Sequence, residues 1–125
     1  MIERLDHLVL TVADIQRTVS FYQRVLGMGH EVFGQGRHAL VFGQQKFNLH
    51  PHGREFEPKA LVPTPGAIDL CLITRWDMAQ VLAHLQQQAV AIEEGPVART
   101  GAMGPIESVY FRDPDGNLIE VSRYP

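Results

Sequence analysis

The sequence predicts an α+β fold in which one βαβββ module is written twice in tandem. Three observations carry that expectation. Short apolar strands alternate with two segments of helical period; the order strand, helix, three strands occurs twice; and equivalent side chains fall at equivalent points of the two copies. At 125 residues the chain fits one compact domain, read as module 1 over about 1–56, a linker over about 57–66 and module 2 over about 67–125.

The first strand runs from His7 to Val12, nearly continuous in apolar, branched residues. Asp14 then offers a helix cap. Ile15, Val19, Tyr22, Val25 and Leu26 recur at helical spacing, and Gly27 supplies a residue that tolerates a left-handed terminus. Strands are expected near Gly29 to Gly34, Arg37 to Phe42 and Lys46 to His50. Between Pro51 and Gly66, five glycines and prolines interrupt any regular element: Gly53, Pro58, Pro63, Pro65 and Gly66.

The second copy opens with a strand from Ile68 to Thr74, followed by a helix near Asp77 with Met78, Val81, Leu82 and Leu85 on one face. Further strands are expected near Val90 to Val97, Ile106 to Phe111 and Asn117 to Ser122. Arg99 to Pro105 reads as a flexible loop. His7-Leu8-Val9-Leu10-Thr11 aligns with Asp69-Leu70-Cys71-Leu72-Ile73, and Phe47-Asn48-Leu49 with Ile119-Glu120-Val121. Between the last two strands, Asp113-Pro114-Asp115-Gly116-Asn117 has the residues of a type I turn, with proline presetting the first central torsion.

Composition excludes several classes of function. A formal charge of -3 with 45% hydrophobic residues argues against a polyanion-binding surface and against a disordered acidic tail, so nucleic acid is not an expected partner. No run of ~18 apolar residues occurs, and the chain opens on Met1-Ile2-Glu3-Arg4 without a basic stretch before an apolar core. The expectation is a cytoplasmic protein with no membrane partner. Cys71, the only cysteine, lies within Leu70-Cys71-Leu72-Ile73 and reads as a buried structural thiol.

His7-Leu8-Val9-Leu10-Thr11-Val12, Phe21-Tyr22-Gln23-Arg24-Val25-Leu26-Gly27 and Asp113-Pro114-Asp115-Gly116-Asn117-Leu118-Ile119-Glu120, in that order, resemble the vicinal oxygen chelate superfamily over essentially the whole chain. That superfamily unites glyoxalases, bleomycin-resistance proteins and extradiol dioxygenases. The segments around Lys46 to His50 and Asp69 to Thr74 look like its glyoxalase-domain branch of uncharacterised activity. The resemblance implies sheets curled into a cup with the helices outside, and a homodimer.

It also implies a divalent metal (zinc, nickel, manganese or iron) held by His7 and Glu120, the family's first-strand and last-strand ligand positions. The fourth-strand position stays open between Asn48, which aligns with Glu120, and His50, one step further on the same face. His7, His50 and Glu120 would form a two-histidine, one-carboxylate set. Asp69 stands where the family has a histidine, and would serve as a fourth ligand, an orienting group or a base.

Glu120 and Asp69 are therefore the candidate catalytic residues, and Asn48 and Arg99 the candidate substrate contacts. The implied chemistry is that of a metal-dependent enzyme acting on vicinal oxygens of a small substrate, by glyoxalase-like lyase or isomerase or by dioxygenase steps. The alternative is metal-free sequestration of an apolar or aromatic compound, with Phe33, Phe42, Tyr110 and Phe111 as candidate lining residues. His30, His38 and His84 read as structural.

Overall fold

A computed structural model describes residues 1–125. The element order is β1 (His7–Val12), α1 (Ile15–Leu26), β2 (Gly29–Phe33), β3 (Arg37–Phe42), β4 (Gln45–Pro51), β5 (Asp69–Ile73), α2 (Met78–Gln87), β6 (Glu94–Gly101), β7 (Gly104–Arg112) and β8 (Leu118–Arg123). The chain divides into two compact units, Met1–Ala67 and Ile68–Pro125. Each holds one four-stranded sheet, in the orders β1-β4-β3-β2 and β5-β8-β7-β6.

In the first unit, β1 and β4 run parallel with His7 opposite Lys46 and Thr11 opposite His50. Facing residues of a strand pair share a side of the sheet, and the side alternates with period two. Leu10, Val12, Leu40, Phe47 and Leu49 form the buried side, which the rings of Tyr22 in α1 and Phe47 join edge to face, 6.0 Å apart. His7, Val9, Thr11, Lys46, Asn48, His50, Arg37 and Ala39 fall on the other side, called here the open face. Asp14 caps α1 by accepting from the Arg17 amide at 3.0 Å, and Gly27 ends it with φ 66°.

The second unit repeats the pattern. Leu70 faces Ile119 in the parallel pair β5·β8 as Leu8 faces Phe47 in β1·β4. That register makes His7 equivalent to Asp69 and Asn48 to Glu120. Val109, Phe111, Ile119 and Val121 are buried together with Met78, Val81 and Leu85 of α2. The Asp113–Asn117 turn closes with the Gly116 amide donating to the Asp113 carbonyl at 3.0 Å. Asn117, wholly buried, accepts from the Ile68 amide and donates to Asp113, which ties the start of β5 to the β7–β8 turn.

Three expectations are corrected. The strand read at Val90 to Val97 begins at Glu94 and continues to Gly101, and Arg99 to Pro105 is the end of one strand and the start of the next, not a flexible loop. The irregularity that hides β6 is local. Register shifts between Glu94 and Val97, where Gly95 has φ 110° and lies so close to Ser108 and Val109 of β7 that a β-carbon would collide with the Ser108 carbonyl. Cys71 is exposed rather than buried, because it shares the open face of its sheet with Asp69 and Ile73.

Candidate functional site on the open sheet faces

Strand alternation brings the predicted polar residues to the open face of each sheet, and the two faces differ in how their polar groups are satisfied. On the second sheet, Glu120 sits opposite Cys71 on β5 and Tyr110 on β7. The Ser108 hydroxyl donates to Glu120 Oε2 at 2.6 Å, and Ser122 approaches the same oxygen at 3.2 Å. Ser108 and Ser122 lie 2.6 Å apart, and the Cys71 thiol donates to Ser122 at 3.2 Å.

A second arm reaches Glu120 from β6. Arg99 Nε donates to the Tyr110 hydroxyl at 3.0 Å, and Tyr110 in turn hydrogen-bonds Glu120. An arginine can only donate, so the phenol's own proton is left for the carboxylate. Both arms therefore end on Glu120 as acceptor. Burial pushes the Tyr110 phenol above its ordinary range, Glu120 acts in the same direction and Arg99 opposes.

No cation neutralises Glu120. The neighbouring arginines are committed elsewhere: Arg112 takes both oxygens of Glu93 at 2.9 Å, and Arg123 pairs with Asp77 at 2.9 Å. Asp69 is exposed at the start of β5, on the Glu120 face. Arg99, expected to touch substrate, spends its nitrogens on Tyr110, the Ala98 carbonyl and Glu94.

On the first sheet, His7 is exposed, and its Nδ1 lies 2.8 Å from Asp6 Oδ2, which leaves Nε2 open. Asn48 is buried with its Oδ1 unpartnered. His50 is also buried, and its Nε2 faces Arg37 at 3.4 Å. Burial pushes the His50 imidazole below its ordinary range; the Arg37 guanidinium adds to this, and Glu55 opposes. A cleft of about 200 Å³ opens beside His50, with Thr11 and Lys59 as further polar lining and Val9, Pro58 and Pro63 as apolar walls.

The donors fit the divalent ion that the fold implies at some positions and not at others. Asp6 holds the His7 ring as carboxylates hold metal-binding imidazoles, Asn48 offers a buried oxygen lacking a donor, and Glu120 offers a carboxylate lacking a cation. His50 fits poorly, because a guanidinium occupies its Nε2 lone pair. It also lies four residues along the strand pair from His7, roughly 13 Å at the strand rise. No three His, Cys, Asp or Glu side chains are gathered closely enough to hold an ion.

Of the aromatic residues expected to line a cavity, Phe33 and Tyr110 lie on open faces, whereas Phe42 packs on Phe47 and Phe111 is buried. Arg37, Ser108 and Ser122 were not singled out from the sequence. The internal repeat carried a signal for them: Arg37 faces the His50 position as Ser108 faces Ser122, and Asn48 precedes His50 as Glu120 precedes Ser122.

Comparison with known proteins decides the family. The model of the Glyoxalase/Bleomycin resistance protein/Dioxygenase superfamily matches residues 4–121. The chain belongs to this superfamily. It is 56% identical over 124 residues to virulence protein STM3117 of Salmonella typhimurium, covering 99% of this chain and 86% of that protein. Against the crystal structure of that protein the TM-score is 0.98, with 100% and 99% of the two chains covered. A glyoxalase domain-containing protein of Mycosarcoma maydis, RDO1, is 57% identical over 123 residues, 98% of this chain and 69% of its own length.

More distant solved structures share the fold alone. They include an antibiotic binding protein, TnmS3, from Streptomyces (22% identity, TM-score 0.78, 99% and 98% covered) and a lactoylglutathione lyase from Agrobacterium tumefaciens (18%, 0.75, 98% and 95%).

Proposed function

We propose that this superfamily member is a metal-dependent enzyme acting on a small substrate with vicinal oxygens, with His7 and Glu120 as ligands and Asn48, rather than His50, at the fourth-strand position. The observation that carries this reading is Glu120: a carboxylate held on its strand by neutral hydroxyl groups with no cation beside it. A half-buried carboxylate so placed offers a cation its full negative charge, and a divalent ion can take that place.

When bound, such an ion polarises adjacent substrate oxygens and stabilises negative charge developing on them. The chain's own groups do the rest. Asp6 fixes the His7 ring so that Nε2 presents its lone pair, and Ser108 and Tyr110 fix the Glu120 oxygens. Asp69, exposed two positions along the strand pair from Glu120, is the free carboxylate suited to accept a substrate proton.

The test is Glu120→Gln, which keeps the shape and removes the charge. Metal affinity should fall at least ~10-fold, the lower range for disturbing a site's supporting groups, while chelator-treated protein keeps its fold. Unchanged metal content in the variant, measured by elemental analysis of protein purified without chelator, would abandon the reading. The second reading, metal-free capture of an apolar or aromatic compound, is supported by the apolar walls of the first unit's cleft. Parent protein that binds such compounds tightly while purifying free of metal would favour it.

A further inference from the structure

The open face of the first sheet carries a cation with no anion beside it. The Arg37 guanidinium lies between two aromatic rings, 5.2 Å from the centre of Phe33 and 4.8 Å from that of Phe56. Arg37 enters no ion pair, and its Nε is buried without an acceptor. Stacking between rings holds a guanidinium in place but satisfies none of its N–H donors.

The single polar contact of Arg37 is with the buried His50, and it fixes the histidine's chemistry. Because arginine only donates, His50 Nε2 at 3.4 Å must be the lone-pair nitrogen, and the neutral ring carries its proton on Nδ1. His50 lines the cleft together with the Thr11 hydroxyl and the Lys59 ammonium, and no carboxylate lines it. The nearby acids have other partners: Glu57 pairs with Lys59 at 3.0 Å from outside the lining, and Glu55 accepts from the Gly53 amide at 3.1 Å.

We infer that this cleft binds a carboxylate carried on a short apolar body, the carboxylate meeting Lys59, Thr11 and His50 and the body lying against Val9, Pro58 and Pro63. The site goes beyond the metal reading and uses neither His7 nor Glu120. One ammonium, one neutral N–H and one hydroxyl suit a singly charged acceptor better than a phosphate dianion, and the apolar walls disfavour a fully hydrated ion.

The test is a nuclear magnetic resonance titration of the whole protein, in chelator throughout, with 2-methylpropanoate, its uncharged counterpart 2-methylpropanamide, and inorganic phosphate. Saturable shifts at the Thr11, His50 and Lys59 amides are expected for the carboxylate, with Kd below ~10 mM. Binding of the amide should be at least ~10-fold weaker, the loss of one charge-assisted hydrogen bond.

Lys59→Gln should weaken carboxylate binding at least ~3-fold, a fraction of one such bond, and Arg37→Gln, which releases the His50 tautomer, should weaken it in the same direction. Lys59→Gln alone carries this arm if Arg37→Gln does not fold. Equal binding of amide and carboxylate, tighter binding of phosphate, shifts confined to another surface, or indifference to the substitutions would each overturn the inference. Chelator makes every outcome independent of the metal reading.

Discussion

Equivalent positions of the two sheets carry opposite hydrogen-bonding problems. Where the second sheet has Glu120 and Ser108, the first has Asn48 and Arg37; the Glu120 carboxylate is supplied with donors, while Asn48 Oδ1 and Arg37 Nε lack partners. The contrast makes Tyr110 a useful probe, since it joins Arg99 to Glu120. Its phenol titrates above the ordinary range in the folded protein, so the folded state holds that proton longer than the unfolded chain does. Stability from this group is complete below the unfolded value of about 10 and is lost as pH rises from there through the higher folded value. Tyr110→Phe should cost about 1 kcal/mol at neutral pH, the typical net worth of a hydrogen bond, and should lessen the alkaline loss. Thermal melts of both proteins from pH ~8 to ~11 measure this, and superimposable profiles would count against the Arg99–Tyr110–Glu120 arm.

Among the elements, the Asp113–Asn117 turn connects more than the two strands it joins. The Asn117 side chain accepts from Ile68 at 2.9 Å and donates to Asp113 at 2.8 Å, so it links β5 to the β7–β8 hairpin. Asn117→Ala strands the Ile68 amide and removes one of the donors to the buried Asp113 carboxylate, which keeps the Asp115 and Asn117 amides, and should destabilise the protein by about 2 kcal/mol; a chemical denaturation midpoint equal to the parent's would refute that role. The residues of this turn were legible in the sequence, but its tie to Ile68 was not, because the partner lies 49 residues away. The same distinction runs through the fold. Both helices and most strands follow from period and capping, whereas β6 was displaced because Gly95 and Pro96 interrupt it for the sake of close approach to β7. Alternation alone put His7, Asn48, His50 and Glu120 on open faces. The preference proposed for Asn48 over His50 rests on Arg37, a cross-strand neighbour that spacing along one strand does not reveal.

At the scale of the whole molecule, each sheet ends in two edge strands, β1 and β2 in one unit and β5 and β6 in the other. Edge strands with free backbone groups invite pairing unless charge or irregularity blunts them. β6 carries such an irregularity, while β5 exposes Ile73 at its end with Trp76 close behind, and β1 exposes Val9. Apolar side chains beside unblunted edges favour self-association, and a site completed by a second copy would make activity depend on it. We therefore expect a homodimer that persists at micromolar concentration, with a light-scattering mass near twice the 14.0 kDa of one chain. Ile73→Lys places a charge at the end of β5 on a residue already 55% exposed, so the fold should tolerate it while the dimer weakens. Metal content and activity measured along a dilution series would then fall earlier for the variant than for the parent. A parent protein that scatters only as monomer at these concentrations removes the dimer, and with it any need for a partner copy to complete the site.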